Sequence, residues 1–364
     1  TSKIYTKNDL LNPKTEWEKD NPDLFLAKVI SDPAYLAFTA KHILNYRLPP
    51  IQALMLQETW GFPFPMWIAH RGFGKCINGN SLILTNNGIQ RIKEVINSDI
   101  LKEKIFFDDL NVLSNNGFHK VEYGWNNGLT DNIEIKTSNG YLLEGVPEHK
   151  IKAIRNGRII WVELSDIKIN DYIPINRQHV NIKSNKYLDK NLAYFFGLLV
   201  GDGGYTVRGR ITLTTADKEL LTSATLIAKR FFDKEFKRVD KYSYNIYGVQ
   251  IWDDLFQKYG FNSPVCGEKD IPTSVLQADE ETIISFLRGL YDTDGYIEKA
   301  NLSVGYCSKS INLIHTLQFI LSLFGIITSI KTKHNKVYNR NYFTLHAYGK
   351  NAKIFYEKIG FGLS

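Results

Sequence analysis

The sequence predicts a multidomain chain of α+β class, on three observations. Its 364 residues exceed what one hydrophobic core holds, because single cores stop growing near ~250–300 residues. Its patterning changes in blocks: polar and helix-like at first, densely alternating from Cys76 to about Val180, then mixed helix and strand. Its last block contains an internal repeat, which predicts two related half-domains. An apolar fraction of 43% is enough to build such cores and excludes a disordered or fibrous chain.

Residues 1–75 form the first block. Arg47-Leu-Pro-Pro-Ile-Gln52 reads as a turn entering a helix, with Pro50 suited to the first helical turn. Pro65 to His70 is a short apolar run that reads as a buried strand, and it leads directly into Arg71-Gly-Phe-Gly-Lys75. A strand followed by Gly72, Gly74 and Lys75 has the form of a phosphate-binding loop: glycines let backbone N–H groups approach phosphate oxygens, and the lysine reaches the outer phosphates. The pattern then stops. Position 76 is Cys where Ser or Thr is required, Ala69 occupies the place of the first glycine, and strand-like sequence follows instead of a helix. Taken alone, such a loop also reads as a plain turn.

Residues 76–185 predict an all-β module. Alternating segments at Ser81–Leu84, Asn132–Thr137, Tyr141–Leu143, Lys150–Ile154 and Arg158–Val162 are separated by Asn-Gly, Asn-Asn-Gly and Ser-Asn-Gly turns.

Residues 186–364 hold the repeat, its copies spanning about 191–261 and 282–364. Tyr194-Phe-Phe-Gly-Leu-Leu-Val-Gly-Asp-Gly-Gly204 matches Phe286-Leu-Arg-Gly-Leu-Tyr-Asp-Thr-Asp-Gly295. Each copy continues with strands (Arg210–Thr214, Leu302–Tyr306), a helix (Lys218–Phe232, Ser310–Leu323) and a final related segment (Asp253–Phe261, Ala352–Phe361). Gly197 and Gly201, like Gly289 and Thr293, are four apart, so they share a helix face and let two backbones approach. Each helix ends in Asp-Gly, with Gly203 and Gly295 expected in the left-handed terminating conformation. Asp202 and Asp294 then meet at two negative helix C-termini, where two carboxylates repel unless a divalent cation joins them. Metal-assisted phosphodiester hydrolysis is the chemistry such a pair suits.

These paired motifs resemble those of the LAGLIDADG (dodecapeptide) homing endonucleases, the second copy most closely. The resemblance implies a pseudo-twofold αββαββα domain with a saddle of strands over double-stranded DNA. It also implies that Asp202 and Asp294 bind Mg²⁺ and position water. Val200 departs from the family at a position often acidic. Basic residues available to the DNA backbone are Arg208, Arg210, Lys237, Arg238, Lys331 and Lys333, with Lys241, Lys336 and Arg340 nearby.

Cys76-Ile-Asn-Gly-Asn-Ser81 resembles the first block of an intein, and Val146-Pro-Glu-His149 the second, with Val146 where Thr is usual. Trp161 to Ile173 resembles the segment joining that block to an inserted endonuclease. The resemblance implies a Hint-type splicing module in which the Cys76 thiolate attacks the carbonyl of Lys75 and His149 protonates the leaving amine. It also accounts for the interrupted loop. Residues 1–75 resemble the start of a phage large terminase, a partial P-loop ATPase in which Gln52, Arg71, Gly72, Gly74 and Lys75 would contact ATP/Mg²⁺ once the host protein is spliced.

No terminal His-Asn junction follows the repeat. His334-Asn335 precedes Lys336 inside the second copy and reads as a loop. With no initiating Met, the chain reads as a fragment: either the upstream half of a system that splices with a C-terminal partner in trans, or a truncated sequence. Two other readings compete: a fragment of a DNA-packaging ATPase carrying a degenerate insertion, and a non-cleaving nucleic-acid-binding LAGLIDADG module. Retention of both aspartates argues against the latter.

Composition agrees with these assignments. A net charge of +7, with 20 Tyr and 21 Phe, leans toward a nucleic-acid partner. Three cysteines without a Cys-x-x-Cys pair exclude a disulfide scaffold and a thiolate zinc site, and fit a reducing cytoplasm. Cys76 stands out as the reactive thiol, while Cys266 and Cys307 read as packing residues. No leader and no apolar run of ~20 residues occurs, so a membrane protein is not expected.

Overall fold

The computed structural model describes residues 76–114, 117–336 and 339–363. The ATP-loop assignments at Gln52, Arg71, Gly72, Gly74 and Lys75, and the helix and strand expected before them, lie outside the described residues.

The β-rich segment opens with the hairpin β1 (Leu82–Thr85) and β2 (Gly88–Arg91), followed by the one-turn helix α1 (Ile92–Ile96). Thr85 Oγ1 ties this turn, lying within hydrogen-bond distance of Gly88 O at 2.9 Å and Gln90 Oε1 at 2.8 Å and accepting from Asn87 N at 3.0 Å. A long hairpin, β3 (Ile105–Ser114) and β4 (Gly117–Gly124), completes a four-stranded sheet of order β2-β1-β3-β4. Its alternation is interrupted by a register shift between Phe106 and Leu110, and the sequence reading had not picked it out. Two further hairpins follow, β5 (Ile133–Lys136) with β6 (Leu142–Gly145) and β7 (Lys150–Arg155) with β8 (Arg158–Glu163). All five strands expected here form, with ends displaced by one or two residues.

The repeat appears as two copies of one topology. The first runs α2 (Lys190–Gly201), β9 (Gly203–Gly204), β10 (Arg210–Thr214), α3 (Lys218–Phe232), β11 (Lys237–Arg238), β12 (Ser243–Tyr247), α4 (Val249–Gln257). After the short α5 (Thr273–Leu276), the second runs α6 (Glu280–Asp294), β13 (Gly295–Glu298), β14 (Ser303–Ser308), α7 (Ile311–Leu323), β15 (Ser329–Asn335), β16 (Arg340–Tyr348), α8 (Lys350–Lys358). The sheets have orders β9-β10-β12-β11 and β13-β14-β16-β15, the same path through the strands. Matched caps begin matched helices. Asp189 and Asp279 accept backbone N–H bonds at the starts of α2 and α6, and Asp217 and Ser310 do so for α3 and α7.

Helices α2 and α6 pack at the centre, and α2 is buried on nearly all sides, including Phe195, Phe196, Leu198 and Leu199. The small residues explain the closeness. A Cβ on Gly197 would collide with Phe286 O, and one on Gly289 with Tyr194 O. Gly203 and Gly295 depart from expectation. Gly295 has φ −79°, ψ 149°, and neither glycine adopts positive φ. They are required instead because each helix turns straight into a strand, where a Cβ would strike the carbonyl of Leu199 or Tyr291. His334 and Asn335 also differ: they end β15 rather than forming a loop, and His334 Nδ1 lies 2.9 Å from Asn341 Oδ1.

The expected boundary at 185/186 falls inside a continuous body. Leu84 and Ile89 of the β1–β2 hairpin belong to the same buried cluster as α2 and α6. Asn139 O accepts from Ile330 N at 3.1 Å and from Gln318 Nε2 at 3.0 Å. Arg91 pairs with Asp270 across the same junction. No helix among the described residues is long and apolar enough to cross a membrane.

Candidate functional site

Asp202 caps the C-terminus of α2 and Asp294 ends α6, so the packing of the two helices sets the carboxylates at neighbouring C-termini. Each is followed at once by the first strand of its sheet. Burial raises the Asp202 carboxyl to about 6, reinforced by the negative charge of Asp294 and opposed by Lys269. Burial around the carboxyl likewise raises Asp294, although the residue as a whole is exposed. Two carboxylates that resist ionisation together are a site waiting for positive charge.

Part of that charge is Lys269, which the sequence reading missed. Its side chain is only 5% exposed, and its Nζ donates to Val200 O at 3.0 Å, Gly203 O at 2.6 Å and Leu199 O at 3.4 Å. It therefore neutralises the C-terminal end of α2 beside Asp202, while also lying 4.9 Å from the centre of the Tyr205 ring. Desolvation lowers its affinity for a proton, and Asp294 and Asp202 oppose that shift. Val200 is buried and offers this lysine its carbonyl. Lys269 is one of 45 Lys and Arg, and nothing in its spacing separates it from the others.

Among the described residues no group of three or more His, Cys, Asp or Glu could hold a metal ion. The hard oxygen donors are the two carboxylates and the helix-end carbonyls. That set suits Mg²⁺, which takes one or two carboxylates and fills its remaining positions with water and phosphate.

The strand register sorts the expected DNA contacts. In the first sheet Ile211, Leu213 and Ile246 are fully buried, so Arg210, Thr212 and Thr214, opposite Tyr247, Asn245 and Ser243, occupy the other face. Lys237 pairs with Asn245 and shares that face, whereas Arg238 pairs with Tyr244 and faces the other way. Arg238 donates instead to Asp240 O and Lys241 O. Arg208 is engaged too, donating through Nε and Nη2 to both carboxylate oxygens of Asp253 at 3.0 and 2.7 Å. In the second sheet Lys331, Lys333 and Arg340 lie opposite Thr344, Tyr342 and Asn335. They alternate with Ile330 and Leu345, which pack into the core. The helix-free faces thus carry Arg210, Lys237, Lys331 and Lys333, with Arg340 beside them.

The second candidate site is Cys76. The backbone draws it to the turn that carries His149: Val146 N donates to Cys76 O at 3.1 Å, His149 N to Val146 O at 3.0 Å, and Ile77 bridges to Gly145. Asn127, also missed from sequence, donates through Nδ2 to Cys76 Sγ at 2.6 Å. Its Oδ1 accepts from Trp125 Nε1 at 2.7 Å. Indole can only donate, so Trp125 fixes the amide with its NH₂ toward sulfur. Val146 is buried. Cys76 and Cys307 are half-buried, but Cys266 is exposed and is not the packing residue expected. Burial raises the Cys307 thiol, with Asp294 adding to the shift.

Comparison with known proteins bears on the second copy of the repeat. The family model for a LAGLIDADG-like domain matches residues 281–360. It covers α6 with Asp294 and the whole second sheet. Among curated proteins, the replication factor C small subunit of Methanocaldococcus jannaschii is 28% identical over 84% of this chain and 17% of its own length. The ribonucleoside-diphosphate reductase NrdEB subunit alpha of Bacillus subtilis is 25% identical over 72% of this chain and 26% of its own. The replicative DNA helicase DnaB of a Synechocystis strain is 25% identical over 78% and 34%. The chain therefore spans about a third or less of each of these relatives. Among solved structures, I-DmoI in complex with DNA and Mn aligns with TM-score 0.37 and 16% identity, covering 47% of this chain and 96% of that one. The N-terminal LAGLIDADG domain of DUF199/WhiA aligns with TM-score 0.34 and 14% identity, covering 50% and 86%.

Proposed function

We propose that the described part of the chain is a site-specific, divalent-metal-dependent DNA endonuclease of the LAGLIDADG kind, joined to a cysteine-initiated protein-splicing module. The observation that carries the nuclease reading is the pairing of Asp202 with Asp294 at two packed helix C-termini, with Lys269 beside them. Asp202 and Asp294 would hold Mg²⁺, which when bound supplies Lewis acidity at a phosphodiester. The two carboxylates orient water toward the phosphorus. Lys269 holds the end of α2 and offsets negative charge that builds as phosphate enters. Arg210, Lys237, Lys331 and Lys333 on the helix-free faces contact the backbone of double-stranded DNA.

The splicing reading rests on Cys76, Asn127 and the His149 turn lying together. It draws support from the relatives. A replication factor subunit, a ribonucleoside-diphosphate reductase subunit and a replicative helicase share no chemistry by name, yet each resembles most of this chain over a minor part of its own length. A segment that recurs in proteins of unrelated activity behaves as an insertion. Residues 1–75 are then host sequence, read as the upstream part of a terminase-type ATPase interrupted after Lys75, and the setting is the cytoplasm.

The deciding experiment offers the purified chain a plasmid carrying the uninterrupted host gene across the insertion point. Mg²⁺-dependent double-strand cutting is expected, and Asp294→Asn should abolish it. Undiminished cutting by that variant, or none by the parent, overturns the nuclease reading. For splicing, dithiothreitol should release residues 1–75 from the parent once a C-terminal complement is added, and not from Cys76→Ala.

A further inference from the structure

We infer that Arg91, a residue of the β-rich module, is a positioning residue for the endonuclease site, acting through Asp270 on Lys269. This inference rests on the nuclease reading above. Arg91 ends β2, and three contacts orient its guanidinium. Nη1 donates to Asn80 O at 3.0 Å, Nε lies 4.0 Å from Glu94 Oε1, and Nη2 is bonded to Asp270 Oδ2. The Asp270 side chain is 6% exposed. Its other oxygen accepts from Ile271 N at 2.8 Å, and its backbone N donates to Asn262 Oδ1 at 2.9 Å.

The preceding residue is Lys269, whose carbonyl accepts from Ser310 Oγ at 2.6 Å and whose ammonium holds the carbonyls at the end of α2. Asp270 and Lys269 share one peptide unit. Whatever fixes the buried carboxylate fixes the origin of the buried ammonium. Among the described residues, Arg91 is the basic side chain bonded to Asp270.

Removing Arg91 leaves a buried carboxylate without its counter-charge, which a protein interior tolerates poorly. Arg91 and Asp270 both line a crevice of about 660 Å³ between the β-rich segment and the repeat domain. The carboxylate can relax into it, carrying the Lys269 backbone with it. The ammonium then leaves the Val200 and Gly203 carbonyls, and the end of α2 that presents Asp202 loses its support. Arg91 is bonded to Asn80 O and Asp270 and is not one of the sheet-face cations, so the step expected to suffer is cleavage rather than DNA binding.

The test uses the full chain and reads three quantities: single-turnover cleavage of the target plasmid, DNA affinity without divalent cation, and protection of Lys269 from reductive dimethylation followed by mass spectrometry. Arg91→Met is expected to cleave about 100-fold more slowly, the scale of a small misplacement at a reacting centre. Its DNA affinity should be unchanged and its Lys269 newly labelled. Arg91→Lys, which keeps the charge, should restore most of the rate. So should Asp270→Asn in the Arg91→Met background, because it removes the orphaned charge while keeping the bond to Ile271 N. A wild-type rate in Arg91→Met, or a deficit relieved by neither change, overturns the inference. Should Arg91→Met fail to fold, Arg91→Lys and the double variant decide. If the parent cuts no DNA, the nuclease reading falls, and Lys269 labelling alone shows whether Arg91 positions that residue.

Discussion

Asp202 is a C-cap acid that resists ionisation first because it is partly buried and then because Asp294 adds negative charge beside it, with Lys269 opposing both. Its carboxyl is raised from 3.8 to about 6, so the sign of its effect on stability is fixed. The folded state holds the proton more tightly than the unfolded chain, and stability falls as pH rises from about 4 through about 6. A shift of that size corresponds to about 3 kcal/mol. The carboxyl is half-buried, so about 1–2 kcal/mol is the realistic expectation. Asp202→Asn should therefore melt higher than the parent at pH 7.5 and lose that advantage at pH 4, while cutting no DNA; paired melting curves check this. In the parent, cleavage should decline as pH drops below about 6. Asn127 supplies the other residue-scale test. Its amide donates to Cys76 Sγ, and a carboxylate there cannot. Asn127→Asp should slow iodoacetamide modification of Cys76 about tenfold, the value of one hydrogen bond to a charged group, with exposed Cys266 as internal control.

At the scale of elements, the α2–α6 pair is the part of the fold most plainly written in the sequence. Gly197, Gly201, Gly289 and Thr293 stand at helical spacing because two backbones touch there, and the structure puts Phe286 O and Tyr194 O where a Cβ would sit. Gly197→Val should destabilise the chain by about 3 kcal/mol or more, since backbone cannot yield as a side chain does; a denaturant titration reads it. The sheets were less legible. Register decides which face a cation takes, and neighbouring residues take opposite faces. Lys237 and Arg238 are adjacent in sequence yet divided by that rule, and Arg208 is held by an acid on α4. Lys331→Ala with Lys333→Ala should weaken DNA binding and lower the slope of log affinity against log salt by up to about 2, one for each phosphate contact. Arg208→Ala should leave the slope unchanged.

The whole molecule departs furthest from a reading of separate modules. Leu84 and Ile89 join the core of the repeat domain, and Arg91 neutralises a carboxylate 179 positions away. Residues 186–364 produced alone would expose that apolar contact and leave Asp270 unpaired, a loss of about 3–5 kcal/mol from the charge alone. They are expected to melt well below a chain beginning at residue 76, as thermal unfolding by circular dichroism would show.

The repeat, the helix pair, the Asp-Gly ends of those helices and the β character of residues 76–185 are legible in the chain alone, because each is a local pattern: a spacing of four, an alternation of two, a turn dipeptide. The folded chain was needed to see that Lys269 supports the end of α2, that Asn127 faces the thiol, that Arg208 and Arg238 are engaged elsewhere, and that Arg91 pairs with Asp270. The physical reason is that charge acts through space. A lysine or arginine has its partner chosen by packing, and its own neighbours in the chain carry no record of that choice.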